Sequence, residues 1–201
     1  EQIEEYYAAS GYPYPARYVE QRELLGQAHA IWLAREELHG PALIIFVDTI
    51  FEADLCDLET SGLDGVLYVR EVDDPRRFGV AILDDGGLVT RLVEKPAGMD
   101  DRLAVVGVYY VHDSARLVGA IEELMARDIQ TKGEYYLADA FSLMMEEGAR
   151  FGVREVSVWE DTGTPQAVLQ TNRYLLEHGS DNGAQAAAYA SVIIPPVYIA
   201  A

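Results

Sequence analysis

Two acids in the sequence each follow an apolar, strand-like run and could hold a metal ion. Asp48 ends the run 42–47, and Asp161 lies between the run 151–158 and a helix-like segment. In α/β proteins ligands bind at the carboxyl ends of strands, and Mg²⁺ prefers oxygen ligands beside phosphates. On adjacent strands the two acids could share one Mg²⁺. Alternatively, Asp48 is a turn acid, and Asp161 or Thr164 caps the following helix.

A second pair of charged residues, Glu94 and Lys95, comes directly before Pro96 and after a short predicted strand. Lys95 could reach a phosphate, and Glu94 could accept hydrogen bonds from sugar hydroxyls. The competing interpretation is a solvated surface ion pair before a proline turn, which contributes little to stability.

Glycines inside strand-like runs are a third signal. Gly79 and Gly107 have no side chain, which allows a ligand or another backbone to approach, but each could equally mark a β-bulge. Gln21, with Gly26 five residues later, could recognise a nucleobase, since its amide offers a donor and an acceptor and glycine permits close contact. Alone, Gln21 could simply be a polar residue at the end of a strand.

Composition restricts the function further. The 201 residues carry a formal net charge of −19, which argues against non-specific binding to nucleic acid or an anionic membrane. The only cysteine, Cys56, excludes an internal disulfide, and we expect a cytoplasmic enzyme. No Cys/His metal cluster, nucleophile elbow, Walker loop or dinucleotide glycine motif is present in the sequence.

Hydrophobic periodicity and turn residues predict the elements that position these side chains. Helices are predicted over 1–9, 26–38, 114–127, 137–147 and 164–176. Strands are predicted over 16–21, 42–47, 65–72, 78–83, 88–93, 103–111 and 151–158. The continuous apolar run 42–47 is expected to be buried on both faces. The alternation of strands and helices indicates an α/β fold with a mixed or mostly parallel sheet and helices on both faces.

The composition changes after Gly179. Residues 1–178 are predicted to form one domain, and the polar, alanine-rich segment 179–190 reads as a linker. Residues 191–201 look like the opening coil of a hexapeptide, left-handed β-helix, which needs about three or more repeats to be stable. The chain is therefore expected to be a piece of a longer protein.

Several segments together resemble the sugar-1-phosphate nucleotidyltransferases, especially the glucose-1-phosphate thymidylyltransferase branch. The matching segments occur in the family's order over about residues 1–178: 21–30 (QRELLGQAHA), 42–55 (ALIIFVDTIFEADL), 78–80 (FGV), 93–96 (VEKP), 103–110 (LAVVGVYY), 133–139 (GEYYLAD) and 159–165 (WEDTGTP). The resemblance implies a three-layer, Rossmann-like nucleotidyltransferase fold.

The resemblance also implies roles for individual residues. The residues matching the family's catalytic positions are Lys95, Asp48 and Asp161, of which the two acids match the ligands of the catalytic Mg²⁺. The residues matching substrate-binding positions are Gln21 and Gly26 for the pyrimidine base, Glu94 for sugar hydroxyls, Lys95 for the sugar phosphate, Gly79, Gly107 and Tyr109 for the sugar pocket, and Glu134 for an acid near that pocket.

The activity implied is nucleotidyl transfer from dTTP or UTP to a sugar 1-phosphate such as glucose 1-phosphate, in a homo-oligomer. A non-catalytic regulatory or assembly subunit that binds nucleotide sugars is the alternative. Asp48 lies in Val-Asp-Thr, where the family usually has Gly-Asp-Asn. The family's glycine-rich loop, which cradles the triphosphate, has no counterpart here, so the 201-residue chain alone is expected to be inactive.

Overall fold

The structure, a computed structural model, describes residues 2–182 and 196–198. Within these residues the helices are α1 (Gln2–Ser10), α2 (Gln27–Leu33), α3 (Ser114–Ala126), α4 (Leu137–Glu146) and α5 (Pro165–Leu175). The strands are β1 (Ala42–Ile45), β2 (Thr49–Glu52), β3 (Gly65–Glu71), β4 (Gly79–Leu83), β5 (Val89–Glu94), β6 (Leu103–Val111), β7 (Phe151–Glu155) and β8 (Val158–Asp161). Single 3₁₀ turns occur at Arg35–Glu37 and Pro75–Arg77. No helix among the described residues is long and apolar enough to cross a membrane.

The chain divides into two compact units, of which the first consists of residues 1–42 and 111–150. Its core comes from α3 and α4, which pack against each other and against α2. Apolar residues at helical spacing, such as Leu117, Ile121 and Leu124 on α3, are fully buried. Asp113 starts α3, because its carboxylate accepts a hydrogen bond from the backbone N–H of Ala115.

The second unit consists of residues 43–110 and 151–201 and contains the sheets. The larger sheet has the order β5-β4-β6-β3-β7, and β1 also pairs with β6. β3 and β7 are parallel, whereas β4 is antiparallel to both β5 and β6. The prediction of a mixed α/β sheet is therefore confirmed. β2 and β8 form a separate, antiparallel two-stranded sheet.

The core of this unit follows the two-residue period of its strands. Alternate residues of β3 and β6 form one buried cluster with residues of the neighbouring loops, namely Leu58, Val66, Tyr68, Val106, Val108, Tyr110 and Val156. The hydroxyl of Tyr68 donates to the carbonyl of Asp54 at 2.7 Å, so the only polar atom of this buried ring is satisfied.

The expectation that 42–47 is buried on both faces is wrong. Leu43, Ile45 and Val47, which share one face, are 41%, 47% and 98% exposed. β1 alternates between half-buried and exposed residues, as a strand covered on one face does. The strand buried on both faces is β3, where four consecutive residues from Val66 to Val69 are at most 1% exposed.

Two other predicted strands differ from the structure. Residues 16–21 form no strand. The consecutive residues Tyr18 and Val19 are both about half exposed, at 46% and 49%, so the alternating pattern of this segment does not bury one side of it. The single predicted strand 151–158 is two strands, because the chain leaves the large sheet after Glu155 and enters the small one at Val158. β2 was not predicted, since it is only four residues long and follows β1 after a short turn.

The predicted domain of residues 1–178 ends within the last helical segment. A π-helical turn, Leu176–Ser180, continues α5 and contains Gly179 at φ 122°. Beyond it, the backbone N–H of Asn182 donates to the carbonyl of Val197 at 2.9 Å. Most of the predicted linker 179–190 and of the predicted β-helix coil 191–201 lies outside the described residues.

Candidate active site

The two candidate metal-binding acids lie on neighbouring strands of the small sheet. Asp48 directly precedes β2, Asp161 is the last residue of β8, and Thr49 is the register partner of Asp161. The carbonyl of Asp48 accepts hydrogen bonds from the backbone N–H and the hydroxyl of Thr162, at 2.9 and 3.0 Å. Asp48 thus lies in the turn before β2, next to the end of the antiparallel strand β8, and the sharing of one Mg²⁺ by the two acids stays a prediction.

Asp161 is not the cap of the helix that follows it. Thr164 caps α5, because its hydroxyl accepts from the backbone N–H of Ala167 at 3.2 Å. The carboxylate of Asp161 instead accepts from the N–H of Gly163 at 2.8 Å, within the turn. Its carbonyl accepts from the hydroxyl of Thr171, which is 2% exposed, so the end of β8 is tied to α5.

Arg77 supplies a positive charge to this corner of the unit. Its guanidinium lies 3.3 Å from Oδ2 of Asp161 and 5.3 Å from the ring centre of Phe78. The ring of Phe78 meets that of Trp159 edge-on at 4.9 Å. Gly79 was a candidate site residue from the sequence, but Arg77, two residues before it, was not, because its partner Asp161 is 84 residues away in the chain.

These side chains surround a cleft of about 180 Å³. The residues lining it are Arg77, Phe78, Trp159, Glu160, Asp161, Ala167 and Gln170. Its lining combines two aromatic rings with charged and amide side chains.

The donor set at Asp48 and Asp161 suits Mg²⁺ better than a transition metal. Among residues 2–182 and 196–198, no group of three or more His, Cys, Asp or Glu side chains could hold a metal by itself. Mg²⁺ is usually bound through one or two carboxylates together with waters and substrate phosphates. Asp48 is exposed and the Asp161 side chain is 25% exposed, so both carboxylates are accessible.

The β4–β5 hairpin places Glu94 opposite Gly79. They are register partners, and a β-carbon at Gly79 would lie 3.0 Å from Oε2 of Glu94. The missing side chain therefore makes room for this carboxylate. The irregularity of the hairpin lies at Ile82 and Leu83, so the β-bulge interpretation of Gly79 is wrong.

Lys95 follows with a left-handed backbone, φ 51°, which is uncommon for a residue other than glycine. Its N–H donates to the carbonyl of Phe78 at 2.9 Å, which keeps the hairpin closed at this end. Nζ lies 3.8 Å from Oε1 of Glu94, and the two side chains are 42% and 20% exposed. The pair is thus only partly solvated, and strained backbone of this kind occurs preferentially at functional sites.

Gly107 and Tyr109 lie on β6 in the same unit. Gly107 has φ 82°, and a β-carbon there would lie 3.0 Å from Phe46 and 3.1 Å from the hydroxyl of Thr49. Its neighbours in the fold are therefore enough to require a glycine. The ring of Tyr109 packs on Phe46 with centres 5.4 Å apart. Burial raises the pKa of Tyr109, and the charge of Glu94 raises it further, so the phenol stays protonated and can donate.

The remaining predicted site residues form a separate cluster in the first unit. Nε2 of Gln21 lies 3.0 Å from the carbonyl of Gly26 and 3.0 Å from Nδ1 of His29. A β-carbon on Gly26, at φ 103°, would lie 2.6 Å from the carbonyl oxygen of Tyr135 and 3.0 Å from Cβ of Glu134. The Cβ of Glu134 thus lies beside Gly26, whereas the resemblance implied that this acid is near the sugar pocket. His29 was not identified from the sequence, where histidine was considered only as a metal ligand.

The predicted site residues therefore fall into two groups, one in each unit. The first unit contains Gln21, Gly26 and Glu134, and the second contains Asp48, Gly79, Glu94, Lys95, Gly107, Tyr109 and Asp161. Within the second group, strand register and ring contacts connect the acids, the Glu94–Lys95 pair and the in-strand glycines.

Comparison with known proteins identifies the family of the chain. The family model for nucleotidyl transferases matches residues 1–178. The chain belongs to this family. The resemblance to sugar-1-phosphate nucleotidyltransferases seen in the sequence motifs is thereby confirmed.

Two curated proteins that the chain resembles are named as a nucleotidyltransferase and a thymidylyltransferase. It is 32% identical over 177 residues to the low-salt glycan biosynthesis nucleotidyltransferase Agl11 of Haloferax volcanii, covering 85% of this chain and 48% of that protein. It is 33% identical over 171 residues to a glucose-1-phosphate thymidylyltransferase of Streptomyces antibioticus, covering 80% of this chain and 46% of that protein. The chain thus spans about half the length of these curated relatives.

The fold is also that of solved nucleotidyl transferases. A UDP-glucose pyrophosphorylase in complex with UDP-glucose superimposes with a TM-score of 0.69, at 20% identity, over 80% of this chain and 66% of that structure. At this identity the likeness establishes the fold, which is the Rossmann-like nucleotidyltransferase fold expected from the sequence.

Proposed function

We propose that the protein transfers a nucleotidyl group from dTTP or UTP to a sugar 1-phosphate, such as glucose 1-phosphate, and releases pyrophosphate. The observation that carries the proposal is the pairing of the backbone of Asp48 with the residue that follows β8, which brings two acids 113 positions apart in the chain to one corner of the second unit. Both side chains are at least partly exposed there, as ligands of an ion that also contacts substrate phosphates must be.

Asp48 and Asp161 would hold Mg²⁺ together with oxygens of the substrate phosphates. The bound ion would neutralise charge that develops on those phosphates during transfer. The chain's own contribution is to fix the two acids: Thr162 holds the backbone of Asp48, and Gly163 and Thr171 hold Asp161. Arg77 forms an ion pair with one carboxylate oxygen of Asp161, and both residues line the cleft.

The transfer itself needs positioning more than a covalent protein intermediate. An oxygen of the sugar 1-phosphate forms a bond to the α-phosphorus, and the bond from that phosphorus to the bridging oxygen of the β-phosphate breaks, so pyrophosphate leaves with the electron pair. Lys95 would orient the attacking phosphate, and Glu94 would accept from sugar hydroxyls across the gap left by Gly79. Neutral Tyr109 would donate to the sugar.

Gln21 would face the base of the nucleotide, and Gly26 and Glu134 lie next to it in the first unit. A pyrimidine fits the single amide that the site offers. The choice of dTTP or UTP and of glucose 1-phosphate is supported by two similar proteins, one named a glucose-1-phosphate thymidylyltransferase and the other a UDP-glucose pyrophosphorylase.

The test is product formation by the protein expressed from its complete gene. It is incubated with Mg²⁺ and each pairing of dTTP or UTP with glucose 1-phosphate or galactose 1-phosphate, and both pyrophosphate and nucleotide sugar are measured. Formation of a nucleotide sugar in equal amounts with pyrophosphate, and its loss in Lys95→Ala, supports the proposal. A protein that binds nucleotide sugars but forms none with any pairing would instead be the regulatory or assembly subunit.

A further inference from the structure

The amide of Gln21 is held at both of its hydrogens. Nε2 lies 3.0 Å from the carbonyl oxygen of Gly26 and 3.0 Å from Nδ1 of His29. The carbonyl of Gly26 can only accept, so the amide group that faces it must be the NH₂. With the amide reversed, two oxygens would face each other. The orientation of Gln21 is therefore determined by chemistry as well as by distance.

His29 must then act as an acceptor at Nδ1. A neutral imidazole accepts through one nitrogen and donates through the other, so the proton of His29 is on Nε2. Its ring stacks on Trp32, with the centres 6.1 Å apart and the planes 19° apart. The helix that carries His29 is itself anchored, because the N–H of Ala28 donates to the carbonyl of Tyr135 at 3.0 Å.

We infer that His29 is a positioning residue for base selection. With both N–H groups engaged, Gln21 has only its carbonyl oxygen to offer, and that oxygen has no hydrogen-bond partner among the described residues. An acceptor matches the N3–H of uracil and thymine, whereas the N3 of cytosine is itself an acceptor. Taken alone, a glutamine offers a donor and an acceptor and would accommodate either kind of base.

This inference rests on the proposed function, since it concerns how the same protein selects its nucleotide. His29→Phe keeps an aromatic ring of similar size against Trp32 but removes the acceptor. His29→Asn loses the ring but can place an amide oxygen near the position of Nδ1. The two variants therefore separate the acceptor from the packing, and His29→Ala replaces His29→Phe if the latter does not fold by thermal melting.

The experiment measures the affinities of UTP and CTP, with Mg²⁺ and without sugar phosphate, by calorimetry on the protein from its complete gene. These nucleotides differ only at N3 and C4 of the base. We expect the wild type to favour UTP by at least about tenfold, because a mismatched acceptor leaves buried polar groups unpaired. His29→Phe should reduce this ratio about five- to tenfold, since only Gly26 then holds the amide. His29→Asn should stay within about twofold of wild type.

Two results would overturn the inference while leaving the proposed function intact. One is a UTP-to-CTP ratio in His29→Phe equal to that of the wild type. The other is a loss in His29→Asn at least as large as in His29→Phe, which would show that an acceptor at this position does not preserve base selection. If the wild type binds neither nucleotide, the proposed function fails and this inference fails with it.

Discussion

The substitution Gly26→Ala tests why a glycine precedes α2. Gly26 has φ 103° and ψ 178°, a backbone conformation almost restricted to glycine. A β-carbon there would lie 2.6 Å from the carbonyl oxygen and 2.8 Å from the nitrogen of Tyr135. Because both atoms belong to the backbone, no side-chain rotation can relieve the overlap. Relief requires the loss of the hydrogen bonds that join Tyr135 to Leu25 and Ala28.

The expected loss of stability is the sum of two contributions. Holding alanine in this conformation costs about 1–3 kcal/mol, and inserting a methyl group into a filled space costs about 1–3 kcal/mol. Gly26→Ala should therefore lower the free energy of unfolding by about 2–6 kcal/mol. The matched control is Gly148→Ala, which has φ 87° but no atom within 4 Å of the new β-carbon, and it should cost only about 1–2 kcal/mol.

Urea unfolding followed by circular dichroism measures both variants, with the slope checked for two-state behaviour. The reasoning is refuted if Gly26→Ala is no less stable than Gly148→Ala. In that case the contacts with Tyr135 would not require the glycine, and close approach of a nucleobase would be the better explanation of its presence.

Substitutions at three further positions test other parts of the account. Thr164→Ala removes the cap of α5 and should lower the free energy of unfolding by about 1 kcal/mol in urea titrations. Burial raises the pKa of Asp139, against the effect of its hydrogen bond from Thr131, so its contribution to stability is present at acid pH and lost as the pH rises through the raised value. Asp139→Asn, which can still accept from Thr131, should therefore gain stability relative to wild type in melts from pH 4 to pH 7. Lys95→Gly should be about 1 kcal/mol more stable than Lys95→Ala because φ is 51° there, yet both should lose nucleotidyl transfer.

The order of helices and strands was largely predictable because hydrophobic periodicity and turn residues are local signals. The Asp84–Gly87 region shows this: Asp84 accepts from the N–H groups of Gly86 and Leu88, and the two strands predicted on either side of it pair antiparallel. What covers a strand is not local. The run 42–47 and β3 are both strongly apolar, but only β3 has both faces covered, and no pattern within either segment reveals that difference.

The site residues were predictable only where the order of the motifs along the sequence matched that of the family. Asp48 and Asp161 were candidate partners from the sequence. The small sheet of β2 and β8, next to which or in which these acids lie, was not predicted because each of its strands has only four residues. Arg77 and His29 were not predicted, because no spacing in the sequence marks either of them as a site residue. In the structure each contacts a residue that was already a candidate: Arg77 pairs with Asp161, and His29 lies within hydrogen-bond distance of Gln21. Binding of Mg²⁺ and self-association remain predictions.

The central claim is that Asp161 is a metal ligand of a nucleotidyl transferase. The most direct measurement compares Asp161→Asn with Glu155→Gln, a neutralised, exposed acid at the end of β7, in protein from the complete gene. Mn²⁺ binding followed by electron paramagnetic resonance and Mg²⁺-dependent pyrophosphate release are measured together. Asp161→Asn should weaken metal binding and lower turnover by roughly 100-fold or more, with an unchanged circular dichroism spectrum, while Glu155→Gln retains both. Wild-type metal affinity and turnover in Asp161→Asn would contradict the account.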